Sequence, residues 1–113
     1  MGTQYEEIAS EYLRTLGYEI LEKNFRCRLG EIDIVAKEQN YLCFIEVKYR
    51  KTAGKGHPEE AVDRRKQNRI CRVADYYLLS HAGDENVEVR FDVVAILGKE
   101  ITLYRNAFVY QIR

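Results

Sequence analysis

Two apolar segments on either side of a short polar turn constrain this chain more than any other feature. Gly30-Glu31-Ile32-Asp33-Ile34-Val35-Ala36 and the run from Tyr41 to Tyr49 are rich in β-branched and aromatic residues. Turn signals bound them, so both read as strands. Lys37-Glu38-Gln39-Asn40 between them is polar, which predicts a hairpin. A hairpin brings Asp33 opposite or nearly opposite Glu46. Glu46 and Lys48 are two residues apart and therefore share a face with Phe44. Two carboxylates and an ammonium on one sheet can hold a hard divalent cation and activate water.

The flanking segments follow a helical period. From Gln4 to Leu16, the residues Tyr5, Ile8, Ala9, Tyr12, Leu13 and Leu16 form one stripe that Gly17 stops. Tyr18 to Cys27 reads as a strand. Arg50 to Pro58 reads as a flexible stretch, and Pro58 suits a helix entry. From Glu59 to Ser80 a second helix carries Val62, Ile70, Val73, Ala74 and Tyr77 on one stripe. Val87 to Leu97 alternates as a strand covered on both faces, and a final strand begins at Ile101. The order helix, three strands, helix, two strands predicts an α/β fold with one mixed sheet and helices packed on it.

Composition narrows the class. The chain has 113 residues, 46% hydrophobic and 32% charged, which fits one globular domain over 1–113. Cys27, Cys43 and Cys71 are odd in number and widely spaced, which argues for a reducing compartment and against a zinc site. No apolar run reaches membrane length and the start lacks a signal region, so the expected location is the cytoplasm, with no membrane partner. The formal net charge is zero. Any nucleic-acid surface must therefore be a local patch.

Such a patch is legible. Arg50, Lys51 and Lys55 follow the Glu46–Lys48 strand, and Arg65, Arg69 and Arg72 form one edge of the second helix, with Tyr49 and Tyr76 interleaved. Sequence-independent, salt-sensitive phosphate contacts would follow. Lys66 falls near the centre of the second helix's apolar stripe, where an unpaired ammonium is costly, so it must pair, snorkel or touch a ligand. Gln67 lies toward one edge of that stripe, and Glu6 at the edge of the first helix's stripe. Glu31 shares a face with Asp33 and reads as a rim residue or a further ligand. His57 reads as an ordinary loop residue, and Arg90 with Asp92 as a structural pair. Spacing alone leaves open a salt-bridge cluster on a half-solvated sheet.

The Asp33…Glu46-x-Lys48 pattern on a helix-then-hairpin framework resembles the PD-(D/E)XK nuclease superfamily. Over nearly the whole chain, from Glu6 to Arg90-Phe91-Asp92-Val93, it resembles the YraN family of Holliday-junction-resolvase-like proteins. The extended Gly30–Ala36 string with Ile45-Glu46-Val47-Lys48 carries most of that specificity. The resemblance implies a restriction-endonuclease-like three-layer fold. It also implies Mg²⁺, or Mn²⁺, held by Asp33 and Glu46 with Glu6 as an accessory ligand. Lys48 would orient or deprotonate the attacking water, and Lys66 and Gln67 would support the site or contact phosphate. The implied activity is endonucleolytic cleavage of branched or structured DNA, and two-strand cutting would suit a homodimer. A nucleic-acid-binding module that keeps the fold without efficient cleavage is the alternative. Ile32 stands where many superfamily members have proline, and Tyr5 where close relatives commonly have glycine.

Overall fold

A computed structural model describes residues 4–51, 62–81 and 87–110. Helix α1 (Gln4–Thr15) precedes strands β1 (Glu19–Cys27), β2 (Gly30–Glu38) and β3 (Tyr41–Arg50). Helix α2 (Arg64–Ser80) then leads to β4 (Glu88–Leu97) and β5 (Glu100–Phe108). The five strands form one sheet in sequence order. All neighbours are antiparallel except β3 and β4, which are parallel. A parallel pair needs a crossover, and α2 supplies it. The mixed sheet between two helices is the expected α/β three-layer arrangement.

The two faces of the sheet hold separate cores. Phe44, Phe91, Val35 and Val93 pack with Ile70, Val73, Ala74 and Tyr77 of α2. Ile34, Cys43, Ile45 and Val94 pack with Ala9 and Leu13 of α1. Alternation along β3 and β4 thus feeds both layers, as a sheet covered on both faces requires.

Two boundaries and one helix face differ from the sequence reading. The turn between β2 and β3 contracts to Gln39 and Asn40, because Glu38 pairs with Tyr41 and Gln39 adopts φ 55°. Helix α2 begins at Arg64 rather than at Glu59: Asp63 is extended at φ −73°, ψ 174°, and its carboxylate accepts the Lys66 N–H at 2.9 Å. That side-chain cap sets the first turn. Pro58, Lys55 and His57 lie outside the described residues. The buried face of α1 is Glu6, Ala9, Ser10 and Leu13, while Ile8 and Leu16 are exposed. Glu6 therefore stands at the centre of the buried face, not at its edge, because the sheet meets α1 along the 6–9–10–13 row.

Strands β2 and β3 do not stay together. Their ladder runs from Glu38↔Tyr41 to Ile34↔Ile45 and stops there. Beyond it β2 pairs only with β1, and β3 only with β4. Alternation also slips at this point: Ile32 packs with the α2 layer and Ile34 with the α1 layer. Asn24 lies between Lys23 and Phe25, the β1 partners of Ile34 and Ile32, and has φ 57°. Asparagine tolerates that left-handed conformation better than most residues. The result is a local gap in the sheet, with Asp33 at its mouth.

Candidate functional site

Asp33 is the first residue past the end of the β2–β3 ladder. Its Oδ2 accepts the Val47 N–H at 2.8 Å, so a side chain replaces the ladder bond that the splayed strands no longer make. Glu46, the residue opposite it if the β2–β3 register is continued by one step, is only 7% exposed. Glu46 Oε2 lies 2.5 Å from Lys66 Nζ on α2 and 3.7 Å from Lys48 Nζ. From the opposite layer Glu6 of α1, itself buried, comes within hydrogen-bonding reach of Asp33. The gap in the sheet lets groups from both helices meet at one point.

The charges there are poorly balanced. The Asp33 carboxyl is pushed up to about 7 by burial first, then by the Glu46 and Glu6 carboxyls, against the lowering effect of the Val47 N–H. Burial, followed by the Lys66 ammonium, pulls Lys48 below the usual lysine range. Burial acts the same way on Lys66, but Glu46 outweighs it and holds Lys66 above its ordinary value. Lys66 is thus a fixed positive charge, and Lys48 is the ammonium most easily deprotonated.

Asp33, Glu46 and Lys66 open onto a cleft of about 560 Å³ that Glu31, Arg69 and Ile70 also line. Among the described residues no three carboxylate, imidazole or thiol groups already converge as a ligand set. The physical reason lies in Glu46, whose oxygen is turned onto Lys66. The carboxylate donors of Asp33, Glu46 and Glu6 are nevertheless hard oxygens, and the raised Asp33 is a carboxyl that a divalent cation would relieve. That chemistry suits Mg²⁺ or Mn²⁺ and excludes nothing softer on geometric grounds.

The remaining residues singled out from sequence divide. Glu31 is exposed at the rim and bonds Arg26 Nε at 3.2 Å. Gln67 Nε2 donates to the Val62 carbonyl at 2.8 Å, tying the entry of α2 to its first turn. Arg50 and Lys51 are exposed at the end of β3, and Arg65, Arg69 and Arg72 are exposed along α2. Arg90 and Asp92 form the expected pair within a larger network: Arg90 bonds Asp92, Glu38 and the Tyr18 hydroxyl.

Two features went unforeseen. Tyr49 stacks on Tyr5 with ring centres 3.9 Å apart, clamping the start of α1, and so Glu6, onto β3. Arg26 and Cys27 also line the cleft, and Arg64, Asn68 and Leu29 line the groove beside it. The signal for Tyr5 was its place one residue before Glu6, opposite an aromatic one residue after Lys48. Nothing in the spacing marked Leu29.

Residues 5–96 match the model of Uncharacterised protein family UPF0102. A UPF0102 protein of Lachnoclostridium phytofermentans is 54% identical over 107 residues, covering 95% of this chain and 91% of the relative. A UPF0102 protein of Caldicellulosiruptor saccharolyticus is 44% identical over 114 residues, covering 96% of each chain. One from Clostridium botulinum is also 44% identical, covering 96% of this chain and 93% of the relative. The matched span contains every residue of the gap, from Glu6 to Lys66, and on these matches the chain belongs to UPF0102, the YraN family.

Proposed function

We propose that this protein is a metal-dependent endonuclease that hydrolyses phosphodiesters in branched or otherwise structured DNA. The observation that carries the reading is the meeting of Glu6, Asp33, Glu46, Lys48 and Lys66 in a gap of the sheet, with Asp33 raised to about 7. A cluster built only for stability would have its carboxylates neutralised.

Asp33 and Glu46 are the residues that would hold the ion, with Glu6 as an accessory behind Asp33. The ion would polarise the phosphate and acidify bound water. The chain's own groups do the rest. Val47 fixes the Asp33 carboxylate by a backbone N–H. Lys48, lowered by burial and by Lys66, is suited to orient the attacking water and take its proton. Lys66, held charged by Glu46, offsets negative charge gathering at phosphorus. Arg65, Arg69 and Arg72 hold the flanking backbone as sequence-blind phosphate contacts.

A second reading has its own observation. Lys66 already satisfies Glu46 at 2.5 Å, which suits a DNA-binding module that does not cleave. Incubation with junction, flap, forked and linear DNA in Mg²⁺ or Mn²⁺ separates the two. The nuclease yields cut products, and Asp33→Ala and Lys48→Ala each reduce the rate by about 10²-fold or more. Cleavage that persists in either variant overturns the assigned mechanism, and salt-sensitive binding without products favours the module.

A further inference from the structure

Arg14, Arg26, Arg90 and Arg105 each pair with a carboxylate. Arg64, Arg65, Arg69 and Arg72 behave differently. All four are exposed, and among the described residues none has a carboxylate partner. With Asn68 and Leu29 they line a groove of about 680 Å³. Arg69 also lines the cleft that holds Asp33, Glu46 and Lys66, so the two depressions share a wall. Four guanidinium groups without a carboxylate partner among the described residues, in a chain of zero formal charge, make a local track suited to anions.

Leu29 does not belong in that lining. It is 41% exposed, and the other side chains around the groove are arginine and asparagine. Arg28 and Leu29 form the turn between Cys27 and Gly30, which pair across β1 and β2. The turn is anchored. Gly30 has φ 145°, and a Cβ there would stand 3.2 Å from the Arg69 stem and 3.3 Å from Val73 Cγ2. The backbone of β2 therefore lies close against α2, at a positive φ that favours glycine. The tip beside it places an apolar side chain among guanidinium groups suited to phosphates. The apolar surface a nucleic acid offers there is the face of a base, reachable only where the stack is open.

Resting on the DNA-binding part of the reading above, we propose that Leu29 is a wedge against unstacked bases. It selects DNA with a branch or single-stranded segment beside the cleft over continuous duplex. Tyr76, exposed one helical turn beyond Arg72, continues the same edge and offers a ring to the next base.

The test is fluorescence anisotropy in EDTA, using a labelled fork with two single-stranded arms and a blunt duplex of equal length. The wild type binds the fork more tightly. Leu29→Ala weakens fork binding about tenfold, on the order of one lost base contact, and leaves duplex binding unchanged. Leu29→Phe restores the preference. A 2-aminopurine at the branch brightens on binding the wild type and not on binding Leu29→Ala. Arg72→Gln weakens both DNAs alike and lowers the salt slope by about one. No effect of Leu29→Ala, an equal effect on both DNAs, or no binding of either DNA by the wild type overturns the wedge. The assay needs neither metal nor cleavage. Fork preference that depends on Leu29 in a protein that never cuts leaves the wedge standing and sinks the nuclease. Asp33-dependent cutting with a fork preference indifferent to Leu29→Ala does the reverse.

Discussion

Asp33→Asn distinguishes a site assembled for chemistry from a cluster assembled for stability. In the unfolded chain the carboxyl ionises near 3.8; in the fold it ionises near 7, because burial and the Glu46 and Glu6 carboxyls oppose its charge. The folded state therefore holds the proton more tightly. A folded value above the unfolded one gives stability that is complete below about pH 4 and is lost as pH rises through 7. Taken whole, the displacement corresponds to roughly 4 kcal/mol. Asp33 is only partly buried and its neighbours can rearrange, so a loss of about 1–2 kcal/mol is the working expectation.

Asparagine removes this ionisation while its amide oxygen can still accept the Val47 N–H. Urea unfolding in EDTA at pH 5 and pH 8 reads the difference. The wild type loses stability between the two pH values relative to Asp33→Asn, and at pH 8 the variant is the more stable by about 1–2 kcal/mol. Taking the difference between proteins cancels the groups that titrate alike in both. Mg²⁺ or Mn²⁺ at pH 8 then raises the wild type, by about 2.7 kcal/mol at a hundred times the dissociation constant, and raises the variant less. A variant less stable than the wild type at pH 8 without metal would refute this account, because Asp33 would then be an anchor of the fold.

Three further outcomes follow from the same charges. Arg90→Met leaves Asp92, fully buried, without its guanidinium, and should cost roughly 3–5 kcal/mol in urea unfolding, against about 1 kcal/mol for Tyr18→Phe. Glu38 is held down at about 2 by Arg105 and Arg90 despite burial, so its contribution is present above pH 4.5 and disappears as pH falls toward 2. Glu38→Gln should flatten that acid limb in a pH titration of stability. Lys66→Met frees Glu46 from its ammonium at 2.5 Å, and calorimetry should show tighter Mn²⁺ binding together with lost cleavage; unchanged or weaker affinity removes Glu46 from the ligand set.

The elements were legible because their periods are clean. Strands β2 and β3 alternate or run apolar between turn residues, and α2 repeats its stripe through Ile70, Val73, Ala74 and Tyr77. Lys66 could be singled out because a lysine breaks that stripe. The face of Glu6 was misjudged for the converse reason. Tyr5, Ile8 and Tyr12 make a better apolar stripe than the row that packs, and a buried acid has no hydrophobic signature. The splaying of β2 from β3 has no signature of its own either. It shows only as a ladder that ends at Ile34, with Asn24 at φ 57° on the neighbouring strand, and both are tertiary facts.

That splaying has a counterpart elsewhere in the sheet, and the comparison bears on function. Asp92 stands at an irregularity between β4 and β5, where the register shifts between Phe91 and Val93. Its Oδ1 accepts the Asn106 N–H at 2.9 Å, and Asn106 has φ 54°. Asp33 stands at the end of a ladder near Asn24 at φ 57° and accepts the Val47 N–H at 2.8 Å. Each aspartate thus sits where a ladder is interrupted near a left-handed asparagine and accepts a backbone N–H, Asp92 fully buried and Asp33 partly so. Around Asp92 the chain supplies Arg90 and the Tyr18 hydroxyl, and beyond them Glu38 is tied to Arg90 and Arg105, so each acid meets a matching donor. Around Asp33 it supplies two more carboxylates, and the ammonium groups go to Glu46. A fold that neutralises one buried aspartate so fully has the means to neutralise the other. It places acids around Asp33 instead, at the mouth of a cleft walled by Arg69, which is the arrangement expected if a bound cation completes the charge balance, as proposed above.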